Sequence, residues 1–205
     1  MEQDEELALT AVLARARTLG FLGPGPLEAQ LAHALAFTAQ LPVEVGLDGL
    51  DLGSGGGLPA LVVALARPAS TWTLVDAMAR RTAFLGEAVE QLGLVGRLTV
   101  VTARAEALPP AWRGRFDVVT ARGFGPPAVL AECAAPWLRV DGVLVVSEPP
   151  TCDDGRWPTA PLAGLGLAVD ERTPGPPAFI RLRQVHPCPA RYPRRTGVPT
   201  KRPLW

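Results

Sequence analysis

The chain has 205 residues, 48% of them hydrophobic and 20% charged, with twenty basic and twenty acidic side chains. That length suits one domain with a full core. The hydrophobic share excludes a disordered chain, and no uninterrupted apolar run of about 18 residues suggests a membrane span. The start, Met1-Glu2-Gln3-Asp4-Glu5-Glu6, is acidic, the opposite of a signal or transit peptide, so the cytoplasm is the expected location. Cys133, Cys152 and Cys188 are widely spaced and show no Cys-x-x-Cys pairing, while His33 and His186 stand far apart. Neither a disulfide framework nor a metal site is expected from them, and the cysteines read as ordinary packing or surface thiols.

The first predicted element is an amphipathic helix over Glu2 to Leu19, with Leu7, Val12, Leu13, Ala16 and Leu19 on its apolar face. Gly20 and the Gly23-Pro24-Gly25 run stop it, and Pro26 suits the first position of a second helix reaching Gln40. Together they predict a short N-terminal helical cap, residues 1–45, that either covers a sheet edge or grips a substrate. Next comes the stretch Leu50-Asp51-Leu52-Gly53-Ser54-Gly55-Gly56-Gly57-Leu58-Pro59. A short apolar run, four glycines and an immediate second apolar run read as strand, tight turn and helix. Glycines at such a turn permit positive φ and close ligand approach, and exposed N–H groups at the helix start favour polar or anionic ligand groups. A glycine pattern alone is also compatible with a plain loop.

The chain then alternates. A helix is predicted over Leu58 to Ala66, a strand over Thr71 to Val75 ending on Asp76, and an amphipathic helix over Ala79 to Leu92 with Arg80 and Arg81 outward. Arg97 to Thr102 reads as a strand followed by a turn at Ala105-Glu106. Phe116 to Thr120 reads as another, ending at Ala121-Arg122. A helix from Pro127 to Leu138 closed by Asp141-Gly142 precedes a fifth strand, Val143 to Ser147. Thr151 to Gly164 is Pro-, Gly- and Asp-rich, a loop with at most a short helix. Leu167 to Arg172 and Ala178 to Val185 are joined by Thr173-Pro174-Gly175-Pro176-Pro177, too turn-rich for a crossover helix, which predicts an antiparallel edge pair. The expected fold is α/β, a doubly wound, mostly parallel seven-stranded sheet of Rossmann-like type over residues 46–185. A basic tail, residues 186–205, is expected on or beside it. From Arg181 onward there are seven basic residues and no acidic one, which leaves an acidic body. Such a block fits a nucleic-acid or phosphate contact, and equally a solvated strand and tail that offset the body.

Ligands of an open parallel sheet bind beyond the carboxyl ends of its strands. The glycine loop, Asp76, Ala105-Glu106 and Arg122 are therefore expected to converge. Asp76 lies 23 residues beyond Gly53, where a carboxylate accepts from a ribose diol. A dinucleotide fingerprint needs glycine at position 58, which is Leu58. The pattern Asp51-x-Gly53-x-Gly55-x-Gly57 instead resembles the first motif of class I S-adenosyl-L-methionine-dependent methyltransferases.

With Val75-Asp76, Arg80-Arg81-x-x-Phe84-Leu85, Arg104-Ala105-Glu106, Phe116 to Phe124 and the tail Arg191 to Leu204, the chain resembles the RsmG (GidB) family. That family methylates N7 of a guanine in the decoding-region loop of 16S ribosomal RNA. The resemblance implies S-adenosyl-L-methionine as cofactor, held by Gly53, Gly55, Gly57, Leu58, Asp76, Ala105, Glu106 and Arg122. It implies ribosomal RNA or the small ribosomal subunit as partner, with Arg122, Phe124, Arg191, Arg194, Arg195, Lys201 and Arg202 toward the RNA. No catalytic general base is implied, because guanine N7 already offers a lone pair and orientation supplies much of the advantage.

The chain departs from the family's pattern in two places. His33-Ala34-Leu35-Ala36-Phe37 stands where the family has His-x-x-Asp-Ser, and Ser147-Glu148-Pro149-Pro150 where it tends to have Lys-Gly. Glu148 at a substrate mouth disfavours a phosphate there. A methyltransferase of another RNA or of a small molecule, and a non-catalytic RNA-binding paralogue that retains the cofactor, are the alternative readings.

Overall fold

A computed structural model describes residues 3–44, 46–149 and 154–205. Cys152 and the first residues of the loop expected from Thr151 lie outside the described residues. Seven strands, β1 (Asp48–Leu52), β2 (Thr71–Asp76), β3 (Leu98–Thr102), β4 (Phe116–Ala121), β5 (Leu138–Glu148), β6 (Leu167–Thr173) and β7 (Ala178–Gln184), form one sheet in the order β3-β2-β1-β4-β5-β7-β6. The first five run parallel, and β7 pairs antiparallel with both β5 and β6. The expected doubly wound sheet with its antiparallel edge pair is what the chain forms. Its strand order reverses between β1 and β4, where doubly wound sheets open a crevice for ligands.

The helices are α1 (Gln3–Thr18), α2 (Leu27–Gln40), α3 (Ala60–Ala66), α4 (Ala79–Gln91), α5 (Pro127–Ala134), α6 (Thr159–Gly164) and α7 (Val198–Lys201). On one face of the sheet, Leu9, Leu13 and Ala16 of α1 and Ala34 and Phe37 of α2 share a continuous core with α3, α4, Trp72, Val118 and Val145. On the other, α5, α6 and Trp137 pack against Leu50, Leu52, Val119, Leu144, Val146 and Ile180. Alternate residues of β4 and β5 thus serve opposite cores, which is why those strands read as near-continuous apolar runs.

Two local expectations are corrected. Residues 135–137 form a 3-10 turn and β5 begins already at Leu138, so Asp141-Gly142 lies inside a strand instead of closing a helix. The register between β4 and β5 slips between Phe116 and Val118, and Asp141 takes φ 66° in the resulting bulge. The carbonyls of Arg139, Phe116 and Asp117 crowd Gly142 where a side chain would start, so glycine is needed there for close backbone approach. The helix after the glycine turn starts at Ala60, leaving Leu58 within the turn.

The tail is not a free basic arm. Arg194 donates through its backbone N–H, Nε and Nη2 to the fully buried Glu132 of α5. Arg113 donates to the carbonyls of Cys188, Pro189 and Tyr192, and Trp205 Nε1 donates to the Arg156 carbonyl at 3.1 Å. Tyr192, Leu204 and Trp205 pack on the α5 side of the sheet. Arg181 and Arg183 are also committed, to Asp170, with Glu171 on Arg181 as well. Among the described residues, no helix is long and apolar enough to cross a membrane, and no group of three or more His, Cys, Asp or Glu is placed to hold a metal.

Replacing Arg194 by Ala strands the Glu132 carboxylate in the interior, a loss on the order of 3 kcal/mol. Exposed Arg195, which pairs with no described side chain, should cost less than about 0.5 kcal/mol. Urea unfolding of Arg194→Ala and Arg195→Ala checks the contrast, and equal midpoints would refute it.

Candidate active site

The carboxyl ends of β1 and β2 each finish on a buried aspartate environment. Asp51, 1% exposed, receives the Thr120 hydroxyl on Oδ1 at 2.7 Å across the β1–β4 pair, and its Oδ2 has no hydrogen-bond partner among the described residues. Asp76, 4% exposed, accepts the Met78 N–H on Oδ1 at 2.9 Å and the Gly55 N–H on Oδ2 at 3.0 Å, with Arg81 Nη1 3.4 Å from Oδ2.

The turn between β1 and α3 is fastened to β2 by its own amides. Gly53 and Ser54 donate to the Val75 carbonyl, Gly55 to Asp76 and Gly57 to the Ser54 carbonyl. Sequence reasoning expected these N–H groups to face a ligand, but they are spent inside the fold. A pyrophosphate would find few donors here, which weighs against a dinucleotide independently of Leu58. Gly53 takes φ 72°, and the Phe124 ring stands 3.0 Å from where its Cβ would be. Gly57, at φ 95°, is packed so that a Cβ would run into Leu61. Its role is the seating of α3, and it lines none of the cavities described next.

Three adjoining cavities follow the strand ends. The first, about 230 Å³, lies between Gly53, Asp76, Met78, Arg81, Ala103 to Glu106 and Phe124. A second, about 320 Å³, runs over the glycine turn between Phe21, Leu22, Gln30, Gly55, Leu58 and Arg122. The third, about 300 Å³, opens past Gly123 and Phe124 toward Glu148, Arg156 and Trp157. Gly53, Gly55, Leu58, Asp76, Ala105, Glu106, Arg122 and Phe124 are therefore brought together as the sequence implied. The Glu106 carboxylate, however, accepts the Gly197 N–H at 3.0 Å, so that side chain braces the tail. Arg191, Arg194, Arg195, Lys201 and Arg202 line none of the three cavities. Arg194 is an anchor for Glu132, whereas Arg191, Arg195, Lys201 and Arg202 are exposed.

Arg81, Phe21, Leu22 and Gln30 escaped sequence reasoning. Arg81 sits on the polar side of an amphipathic helix, yet in the first turn of α4 it reaches back to Asp76 and lies over the Phe21 ring, 6.0 Å from its centroid. Phe21 and Leu22 come from the turn joining α1 and α2, fixed by Gln30 Nε2 donating to the Gly23 carbonyl at 2.9 Å. An apolar pair inside a Gly- and Pro-rich turn was the available signal. Burial lowers the basicity of Arg122, and burial and the Arg122 charge lower that of His33. Cys133 is buried and its thiol pushed up by burial, and Cys188 is pushed up to about 11 for the same reason, so neither is a ready nucleophile.

Comparison with known proteins adds to this geometry. The family model described as rRNA small subunit methyltransferase G matches residues 30–148. A protein of Deinococcus radiodurans named ribosomal RNA small subunit methyltransferase G is 39% identical over 76% of this chain and 65% of its own length. A namesake from Prochlorococcus marinus is 37% identical over 76% of this chain and 67% of its own. This chain thus spans about two thirds of those relatives. Among solved structures, geranyl diphosphate methyltransferase in complex with SAM aligns with a TM-score of 0.62 at 15% identity, covering 76% of this chain and 85% of that one. A putative sarcosine dimethylglycine methyltransferase from Galdieria sulphuraria aligns with a TM-score of 0.55 at 19% identity, covering 70% and 62%. The cyclase SpnF aligns at 0.58 and 21% identity, covering 70% and 58%. These establish the class I methyltransferase fold, and the cyclase among them shows that the fold alone does not dictate a reaction.

Burial pushes the Asp51 carboxyl up to about 6, against the opposing Thr120 hydrogen bond. An unfolded aspartate titrates near about 3.9. The fold thus still holds a proton that the unfolded chain has released, and this group's contribution to stability falls as pH rises from about 4 to about 6. The stability of the wild type relative to Asp51→Asn should drop by about 2 kcal/mol between pH 4 and pH 7. Urea unfolding of both proteins across that range measures it, and a constant difference would contradict it.

Proposed function

This chain belongs to the rRNA small subunit methyltransferase G family, and on that premise we propose that it transfers a methyl group from S-adenosyl-L-methionine to N7 of a guanine in small-subunit ribosomal RNA. The observation that carries the reading is the convergence of the glycine turn, Asp76 and Arg122 on two adjoining cavities, with the half-unpartnered Asp51 buried beneath the turn. A carboxylate with a free buried oxygen favours a cation above it, which fits the ammonium and sulfonium end of that cofactor. Asp76 retains acceptor capacity beyond its two backbone donors, which fits a ribose diol.

In this reading the first cavity takes the adenosine, with Ala105 and the Glu106 backbone around the base. The second takes the methionyl end, where Arg122 faces its carboxylate. When bound, S-adenosyl-L-methionine supplies an electrophilic methyl group on a sulfonium. The protein's part is positioning. Asp76 and Arg81 fix the ribose side, Phe21 and Leu22 roof the turn against water, and Phe124 presents a ring between cofactor and acceptor cavities. Holding two reactants in line is worth up to about 7–11 kcal/mol of barrier, and N7 needs no proton removed before it attacks. The exposed Arg191, Arg195, Lys201 and Arg202 of the tail lie along the RNA backbone.

Purified protein with methyl-labelled S-adenosyl-L-methionine should label small-subunit RNA, or subunits lacking the modification, at guanine N7. Absence of label on both would sink the reading. Asp76→Asn should weaken binding of S-adenosyl-L-homocysteine by roughly tenfold or more in calorimetry, since it removes a charged acceptor. An unchanged affinity would remove Asp76 from the cofactor site.

A further inference from the structure

The third cavity is lined by a carboxylate of which the fold engages only one oxygen. Glu148 is the last residue of β5, and its side chain is 2% exposed. Arg156 Nε donates to its Oε2 at 2.9 Å, while its Oε1 is buried and has no hydrogen-bond partner among the described residues. The indole N–H of Trp157, in the same lining, is also buried and has no partner among the described residues. Arg156 is itself steadied from the tail, because its carbonyl accepts from Trp205 Nε1. A buried acceptor without a donor costs free energy unless a ligand completes it.

We infer that Glu148 reads the methyl-accepting base: its free carboxylate oxygen accepts from the N1–H and exocyclic N2–H donors of a guanine seated between Phe124 and Trp157. The inference rests on the proposed RNA-guanine acceptor and deepens it. Arg156 already offsets the charge of Glu148, so a second cation gains little at Oε1 and a neutral group rich in donors fits better. Guanine alone among the four bases presents two adjacent donors on its Watson–Crick edge. Adenine and cytosine place an unprotonated ring nitrogen there, and uracil has one donor between two carbonyls. An acceptor-only carboxylate therefore repels the other three.

The orientation also suits the reaction. N7 lies across the purine from the N1 and N2 edge, so a guanine whose Watson–Crick edge meets Glu148 turns N7 back toward Gly123 and Phe124. That wall is shared with the cofactor-side cavity. Phe124 offers a ring face for stacking along the way. The cavity, about 300 Å³, is at the small end for ligand pockets and suits one base more than an extended strand. Glu148 is accordingly a specificity residue that touches the acceptor and takes no part in the proton or methyl balance.

Guanosine, inosine and adenosine 5′-monophosphates, titrated by NMR into protein saturated with S-adenosyl-L-homocysteine, test this. Inosine keeps N7 and N1–H and lacks only the N2 amine. Wild-type protein should bind the guanine nucleotide roughly tenfold or more tightly than the other two. Glu148→Gln should erase that gap and leave S-adenosyl-L-homocysteine affinity unchanged. Equal affinities of the guanine and inosine nucleotides in the wild type, no binding of the guanine nucleotide up to about 10 mM, or a gap that survives in Glu148→Gln would overturn the inference. If the same preparation labels small-subunit RNA, any of those results leaves the methyltransferase reading standing. If it labels no RNA, that reading falls and takes this one with it.

Discussion

The Asp76 carboxylate is the contact on which the site's shape depends. It is almost wholly buried, so its oxygens require donors, and the chain supplies them from two directions. Gly55 comes from the turn after β1 and Met78 from the start of α4, with Arg81 arriving from the same helix. Together with the Gly53 and Ser54 amides on the Val75 carbonyl, this ties two strand ends into one rigid floor. The same bonds consume the backbone donors that a pyrophosphate would need. A site so built offers few donors to an anionic dinucleotide, and in the proposed reading Asp76 serves a diol while Asp51 lends negative charge beneath the turn.

Among the described residues two buried carboxylates are each left one oxygen short of full satisfaction, Asp51 near the end of β1 and Glu148 at the end of β5. They lie on strands to either side of β4, and the three cavities adjoin at Gly123, with Phe124 shared by the first and third. Buried acceptors are normally completed inside a fold. In the proposed reading two different ligands finish these two, with Phe124 between. The tail contributes in a less direct way than its charge suggests: Arg194 secures it on Glu132, Gly197 on Glu106, and Trp205 steadies the residue that orients Glu148.

What the sequence made legible was local. The strands are apolar runs bounded by turn residues, and the glycine turn with Asp76 follows a spacing that chain geometry imposes, so the sheet and the convergence of Gly53, Asp76, Ala105 and Arg122 could be read directly. What it hid depended on contacts distant along the chain or on a departure from period. Asp141-Gly142 has the composition of a turn, but here it forms a bulge inside β5 because three carbonyls crowd that point. Arg81 sits on the polar face of α4, and only its place in the first turn lets it fold back over the loop. Arg194 looked like a free cation because its partner, Glu132, is 62 residues away. Gly57 matched a binding pattern while serving the packing of α3.

Delivery of a methyl donor to N7 of a small-subunit guanine across these three cavities is tested most directly by a map of N7-methylated guanines in small-subunit ribosomal RNA, compared between cells with and without the protein. The account predicts that a single guanine loses its N7 methyl group when the protein is missing and regains it when the wild-type chain is restored. Identical maps in the two cells would contradict it.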